Sequence, residues 1–285
     1  MKIGFIGTGL MGEPMVERLI NAGNFPKIYN RTLSKTEKLK KKGALVENSS
    51  ADVIKKSDTI IFMLSDFQAV SEMMFPDKNI DFSGKTVIQM STIAPGENII
   101  LAERVVNKGG KFIEAPVLGS IPQIKSGELI TIFGGAEDDY SKWTDFFTVF
   151  GPRVIYAGKI GSASSIKLAL NHLIASLTAA FSLSLGYLRE QKIDHNVFMD
   201  ILRSSALYAP TFDKKLDNML SRNYDSPNFP LKHMLKDVRL MLHEFGRSNL
   251  NTPQLEGVEE IIQIALSHGL ADKDYSSLYN GVHEK

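Results

Sequence analysis

The first turn of the chain limits its possible folds more than any other stretch. A short apolar run, Lys-Ile-Gly-Phe-Ile, leads into Gly7-Thr8-Gly9-Leu10-Met11-Gly12, and the helical pattern EPMVERLINAG follows at once. A G-x-G-x-x-G between a strand and a helix gives each glycine a separate task. Gly7 makes the tight turn, Gly9 lets backbone approach a pyrophosphate, and Gly12 lets the helix pack on the strand. The exposed N–H groups of the helix start, helped by its dipole, then hold phosphates.

The stretches that follow fit this opening. KIYN, TIIFML, TVIQM, KFIEAPV, LITIF and RVIYAG read as further strands, and the helical patterns LSKTEKLKKKG, SADVIKKSD and GENIILAERVVNKGG separate the earlier ones. Strands nearly continuous in apolar residues and alternating with helices imply a parallel sheet covered on both faces, hence a doubly wound α/β domain. The pattern changes near Gly161. From Ser162 a long apolar helix runs to about Gln191, and shorter helical stretches follow around Val197, Thr211, Leu235, Val258 and Ser277, with Pro210, Pro230 and Pro253 near helix starts. Residues 1–161 are therefore expected to form a Rossmann-type domain and residues 162–285 an all-helical one that begins with the long helix. A cleft between the two is the expected ligand site.

Composition narrows the function. Lys plus Arg number 33 and Asp plus Glu 32, so no bulk field draws the chain to nucleic acid or an anionic membrane. With no cysteine, thiolate nucleophiles, disulfides and Cys-based zinc sites are excluded. The expected partner is a small molecule. Residues 168–188 lack any Asp, Glu, Lys or Arg, but Asn171, His172, Ser176, Thr178, Ser182 and Ser184 mark them as a buried helix, not a bilayer span. The start MKIGFIG, with one Lys and an apolar run too short for a signal segment, reads as that of a cytoplasmic protein. His233, His243 and His268 show no metal-ligand spacing beside acids, so no metal is expected.

Two positions indicate the chemistry. At the end of the second strand a carboxylate would accept hydrogen bonds from the adenosine ribose of NAD. Here Asn30 is neutral, and Arg31 and Thr32 follow it, a set suited to the 2′-phosphate of NADP(H). Between Lys159 and Arg189 the only formal charge is Lys167, near the start of the long apolar helix. Burial of an ammonium in a cleft favours proton exchange near neutrality. Asn171, four residues on and so on the same helical face, is placed to orient the ammonium or a substrate oxygen.

These features, with EAPVLGS at residues 114–120, GKIGSASSIKLALN at residues 158–171 and FPLKHMLKDVRL at residues 229–240, resemble the β-hydroxyacid dehydrogenases related to 3-hydroxyisobutyrate dehydrogenase. NRTLSK, MLSD, APVLGS and FPLKHMLKD are most similar to the glyoxylate/succinic semialdehyde reductases among them. The resemblance covers essentially the whole chain. It implies an NADPH-dependent reductase of small aldehyde acids, oligomeric (a homodimer or homotetramer) through its helical parts, with Lys167 catalytic and Asn171 assisting. Cofactor contacts would fall on residues 7–12, Asn30, Arg31, Thr32, Met63, Leu64, Thr92 and Lys236. Substrate contacts would fall on Ser91, Thr92, Leu118, Gly119, Ser120, Phe229 and Asp237. Leu118 departs from the family pattern, which has Ser there. The N–H groups of Gly119 and Ser120 and the Ser120 hydroxyl are left to hold a carboxylate, with Leu118 shaping the pocket. Two other readings share the fold: an NAD-dependent 3-hydroxyacid dehydrogenase, and a nucleotide-binding interaction module without turnover.

Overall fold

All the strand-type runs of the first half lie in one sheet. In the computed structural model, which describes residues 1–284, its strands are β1 (Ile3–Ile6), β2 (Lys27–Tyr29), β3 (Leu45–Val46), β4 (Thr59–Phe62), β5 (Thr86–Gln89), β6 (Lys111–Glu114), β7 (Val117–Leu118), β8 (Ile130–Gly134) and β9 (Arg153–Gly158). Their order is β3-β2-β1-β4-β5-β6-β8-β7, with β9 beside β8. β3 to β6 pair in parallel, as the alternation with helices requires. β8 departs from the expected all-parallel arrangement, running antiparallel to β6 and β7 and parallel to β9. The expected strand KFIEAPV is also split. Pro116 cannot donate to a ladder, and the chain resumes as β7, which pairs with β8 and no longer with β5.

Cross-strand register accounts for two cores, one on each face. Phe5, Ile61, Ile88 and Ile113 are register neighbours. They pack with Met15, Val16 and Leu19 of α1 (Gly12–Asn21). The alternate residues Ile60, Phe62, Val87 and Phe112 face the opposite way. They meet Val53 and Ile54 of α3 (Ser50–Lys56), Val70 and Met74 of α4 (Phe67–Met74) and Leu101 and Val105 of α5 (Pro95–Val106). Each such fully buried side chain is worth about 1.5–3 kcal/mol over leaving it exposed. The period-two alternation thus fixes which helices cover which face. The remaining helices of this part are α2 (Glu37–Lys41), α6 (Ile121–Ser126), α7 (Glu137–Phe147) and the start of α8 (Ser162–Glu190).

The chain divides into two compact units, one of Met1–Lys167 and one from Leu168 onward, and the division falls inside α8. In the second unit α9 (His195–Arg203), α10 (Pro210–Ser221), α11 (Leu231–Arg247), α12 (Pro253–Ser267) and α13 (Tyr279–Val282) follow. Pro210 and Pro253 open their helices, where a missing N–H is harmless. Apolar residues at helical spacing build the core: Leu168, Ala175 and Ala179 of α8, Leu231, Met234, Val238 and Met241 of α11, and Leu255, Val258, Ile262 and Ala265 of α12. A buried ion pair, Lys215 Nζ to Asp274 Oδ1 at 2.8 Å, ties α10 to the segment before α13.

The expectation of a buried apolar α8 holds along one face only, since Leu173, Leu177, Leu183 and Tyr187 are exposed. Among the described residues it is the one helix long and apolar enough to cross a membrane by length and composition, and 44% of that stretch is buried.

Candidate functional site

Parallel pairing brings the C-terminal ends of β2, β1, β4, β5 and β6 to one edge of the sheet in that order. At about 4.8 Å per strand the five ends span about 19 Å. The strand order reverses between β1 and β4, the switch point at which doubly wound sheets bind ligands. The loops leaving these ends hold most of the candidate residues.

The glycine turn follows β1. Gly7 has φ +104°, and a Cβ there would lie 2.2 Å from the Met63 carbonyl oxygen, so only glycine fits. A Cβ on Gly12 would stand 1.9 Å from the Gly7 carbonyl oxygen, so the helix start touches the turn directly. Around Gly9 no atom lies within 4 Å of such a Cβ, which leaves open space over its backbone. Met11 caps α1 without a side-chain hydrogen bond, and Leu10 is exposed. An uncapped helix start beneath open space suits a pyrophosphate.

Thr8 is buried, donating its N–H to Asn30 Oδ1 at 3.1 Å and its hydroxyl to the Lys35 carbonyl at 3.3 Å. Asn30 Nδ2 donates to the Thr32 carbonyl at 2.9 Å. Asn30 thus braces the glycine turn against the turn after β2, on which Arg31 and Thr32 are both exposed.

After β4 and β5 come Met63, Leu64, Ser91 and Thr92. Ser91 Oγ accepts the Leu64 N–H at 2.8 Å, and Gln89 Oε1 accepts the Ser91 N–H. Gln89 Nε2 donates to the Ser91 carbonyl at 3.1 Å and to Asn98 Oδ1 at 3.0 Å. Ser91, expected as a substrate contact, is buried and holds the two loops together. Thr92 beside it is half-buried.

Glu114 ends β6 and lies directly across from Gln89 in register. Its carboxylate is fully buried. Oε1 accepts the N–H groups of Gly161 at 2.9 Å, Ala163 at 2.7 Å and Ser164 at 3.4 Å, and Oε2 accepts the Ser164 hydroxyl at 3.2 Å. Burial pushes its carboxyl up, opposed by these donors. The turn it holds begins α8, and Lys167, 9% exposed, lies one turn further along that helix. Leu118 ends β7 half-buried, and Gly119 has φ +130°. Both donors of Ser120, its N–H at 3.0 Å and its hydroxyl at 2.8 Å, go to Gln123 Oε1. Two of the three donors expected to hold a carboxylate thus hold an amide oxygen within the chain.

The helical unit gathers the other candidates. Asn171 Nδ2 donates to Asp237 Oδ2 at 2.7 Å, both residues being buried. Lys236 Nζ lies 2.7 Å from Asp237 Oδ1. That oxygen lacks a directed hydrogen bond, so the contact with Lys236 is Coulombic. Phe229 stacks on His233 with ring centroids 6.4 Å apart, and burial, with Lys236 and Lys232 nearby, pushes the His233 imidazole down. Lys232, Leu235, Lys236, Arg239 and Leu240 line a groove of about 340 Å³ on α11. His172 Nε2 is 3.0 Å from Gln254 Oε1. Gln89, Glu114 and Gln123 were not singled out from the sequence. The available signal was a lone polar residue at the end of an apolar strand run, as in TVIQ and KFIE.

A glycine turn at the switch point of a 3-2-1-4-5-6 sheet, followed by a helical unit, defines the class of nicotinamide-dependent oxidoreductases with a Rossmann-type domain. Residues 2–158 match the family described as the NAD binding domain of 6-phosphogluconate dehydrogenase, and residues 161–282 the one described as NAD-binding of NADP-dependent 3-hydroxyisobutyrate dehydrogenase. The chain belongs to the β-hydroxyacid dehydrogenase family. It is 34% identical over 285 residues to glyoxylate/succinic semialdehyde reductase 1 of Arabidopsis thaliana, covering 99% of this chain and 98% of that protein. With glyoxylate/succinic semialdehyde reductase 2, chloroplastic, of the same plant, identity is 32%, covering 98% and 78%. The crystal structure of 3-hydroxyisobutyrate dehydrogenase from Salmonella typhimurium has the same fold, with a TM-score of 0.87 at 18% identity, covering 98% of this chain and 99% of that one.

Proposed function

We propose that the protein is an NADPH-dependent reductase of small aldehyde acids such as glyoxylate and succinic semialdehyde. The observation that carries this reading is the row of loops along one sheet edge, from Arg31 after β2 to the start of α8 at β6. Bound reduced coenzyme supplies a hydride to the carbonyl carbon. The chain does the rest. Amides of Gly9, Leu10 and Met11 hold the phosphates, and Arg31 with Thr32 holds the 2′-phosphate. Met63, Leu64 and Thr92 flank the nicotinamide, and Lys236 adds a cofactor contact. Gly119 and Ser120 anchor the substrate carboxylate once Ser120 leaves Gln123, Leu118 and Phe229 shape the pocket, and Asp237 contacts substrate.

The Lys167 ammonium donates a hydrogen bond to the carbonyl oxygen and then its proton to the forming alkoxide, which leaves as the alcohol. One N–H of Asn171 Nδ2 goes to Asp237; its second N–H can donate to the substrate oxygen and its Oδ1 can accept from the Lys167 ammonium. The apolar face of α8 at Leu173, Leu183 and Tyr187 supports assembly as a homodimer or homotetramer, which light scattering checks.

The test is a panel of glyoxylate, succinic semialdehyde, methylmalonate semialdehyde and tartronate semialdehyde with NADPH and NADH, with 3-hydroxyisobutyrate oxidation run beside it. Lys167→Ala is expected to lower kcat about 10²- to 10⁴-fold while NADPH binds as before. Near-normal turnover by that variant refutes the assignment of Lys167.

A further inference from the structure

A helix normally takes its N-terminal cap from the residue just before it. α8 takes its cap from elsewhere. The donors at its start, the N–H groups of Gly161, Ala163 and Ser164 and the Ser164 hydroxyl, all reach Glu114, 47 to 50 residues earlier on a central strand. A local cap satisfies the amides and leaves the helix free to tilt. A cap on a strand fixes the first turn of the helix to the sheet.

The space around this carboxylate is closed. Gly134 is the register partner of Glu114 on β8, and a Cβ there would stand 2.4 Å from Glu114 Oε1. Ala163 and Ser164 are both buried against it. Lys167 lies four residues beyond Ala163, so it projects from the same face of the helix about 6 Å further along the axis.

We propose that Glu114 is the positioning residue for Lys167: its carboxylate locks the first turn of α8 to the end of β6 and so sets where the amine stands over the sheet edge. The proposal rests on the reading of Lys167 as proton donor. Glu114 is fully buried and offers no surface to a ligand, so its loss acts through geometry. A misplacement of about 1 Å at a reacting group is worth up to about 10²-fold in rate.

Three variants and three measurements test it. Glu114→Ala removes every acceptor; kcat is expected to fall at least about 30-fold, with the NADPH dissociation constant within about threefold of wild type. Amide hydrogen exchange should quicken in the segment 161–167 and stay unchanged at the glycine turn. Glu114→Gln keeps an acceptor oxygen of the same shape and should recover most of the lost turnover. Gly134→Ala, which crowds the carboxylate, should reproduce the loss of kcat with Glu114 still present, and it serves if Glu114→Ala does not fold.

A folded Glu114→Ala with kcat within about threefold of wild type overturns the proposal, as does joint loss of kcat and NADPH affinity, or Glu114→Gln as impaired as alanine. Lys167→Ala is assayed alongside. If that variant keeps its turnover, or the wild type reduces none of the panel, the proton-donor reading fails on its own, and hydrogen exchange at 161–167 alone decides whether Glu114 holds the turn.

Discussion

Gly9→Ala separates binding from folding. Gly9 is not in the left-handed region of backbone space, and a Cβ built on it meets nothing within 4 Å. The free protein should therefore accept alanine with a change in stability of less than about 1 kcal/mol, in either direction. The methyl group then occupies the space through which a pyrophosphate must approach the backbone. Displacing even one charge-assisted N–H bond removes about 1.5–3 kcal/mol, which weakens NADPH binding about 10- to 150-fold. Gly12→Ala is the contrasting variant. Its Cβ would lie 1.9 Å from the Gly7 carbonyl oxygen, so it should lower the melting temperature as well. NADPH fluorescence titration and thermal melting read both effects. Gly9→Ala that binds NADPH within threefold of wild type would refute the placement of the phosphates.

Three other perturbations give distinct outcomes. Arg31→Glu, at an exposed position, should leave stability within about 0.5 kcal/mol while weakening NADPH at least tenfold, roughly, and leaving NADH nearly unchanged; equal effects on both would remove the assignment of Arg31 to the 2′-phosphate. Lys215→Met strands the buried Asp274 carboxylate and should cost about 3–5 kcal/mol in urea unfolding; a loss below about 1 kcal/mol would contradict that. His233 has its pKa held below the usual 6.5 by burial and nearby lysines. The folded state then binds fewer protons than the unfolded one, so this contribution is present above about pH 6.5 and is lost as pH falls through the folded value. The stability gap between wild type and His233→Gln should narrow on acidification from about pH 7 to about pH 5, and a gap that widens refutes it.

How much of this the sequence reveals depends on the range of each signal. Ile3–Ile6 and Thr59–Phe62 are wholly buried, so their apolar runs marked the strands directly. Leu45–Val46 is two residues long, too short for any period to register. The reversed direction of β8 depends on pairing across the sheet and leaves no local mark. The glycine turn is local in sequence and was legible, as was the end of the KIYN run that puts Arg31 in the turn after β2. The bond from Asn171 to Asp237 spans 66 residues and that from Glu114 to Ala163 spans 49. Neither follows from spacing along the chain. Ser91 enters as a substrate contact through the family resemblance, and the Gln89 amide that holds both its backbone groups is a side-chain arrangement no spacing displays.

The strand-end loops are laid out side by side, so the two halves of a coenzyme of the proposed kind would rest on different strands. The turn after β2 is then an exchangeable cassette. Replacing Arg31 and Thr32 with acidic residues, with Asn30 kept as the brace of the glycine turn, would shift the proposed preference from a phosphorylated to an unphosphorylated coenzyme while leaving the anchor of α8 on β6, three strands beyond β1, untouched.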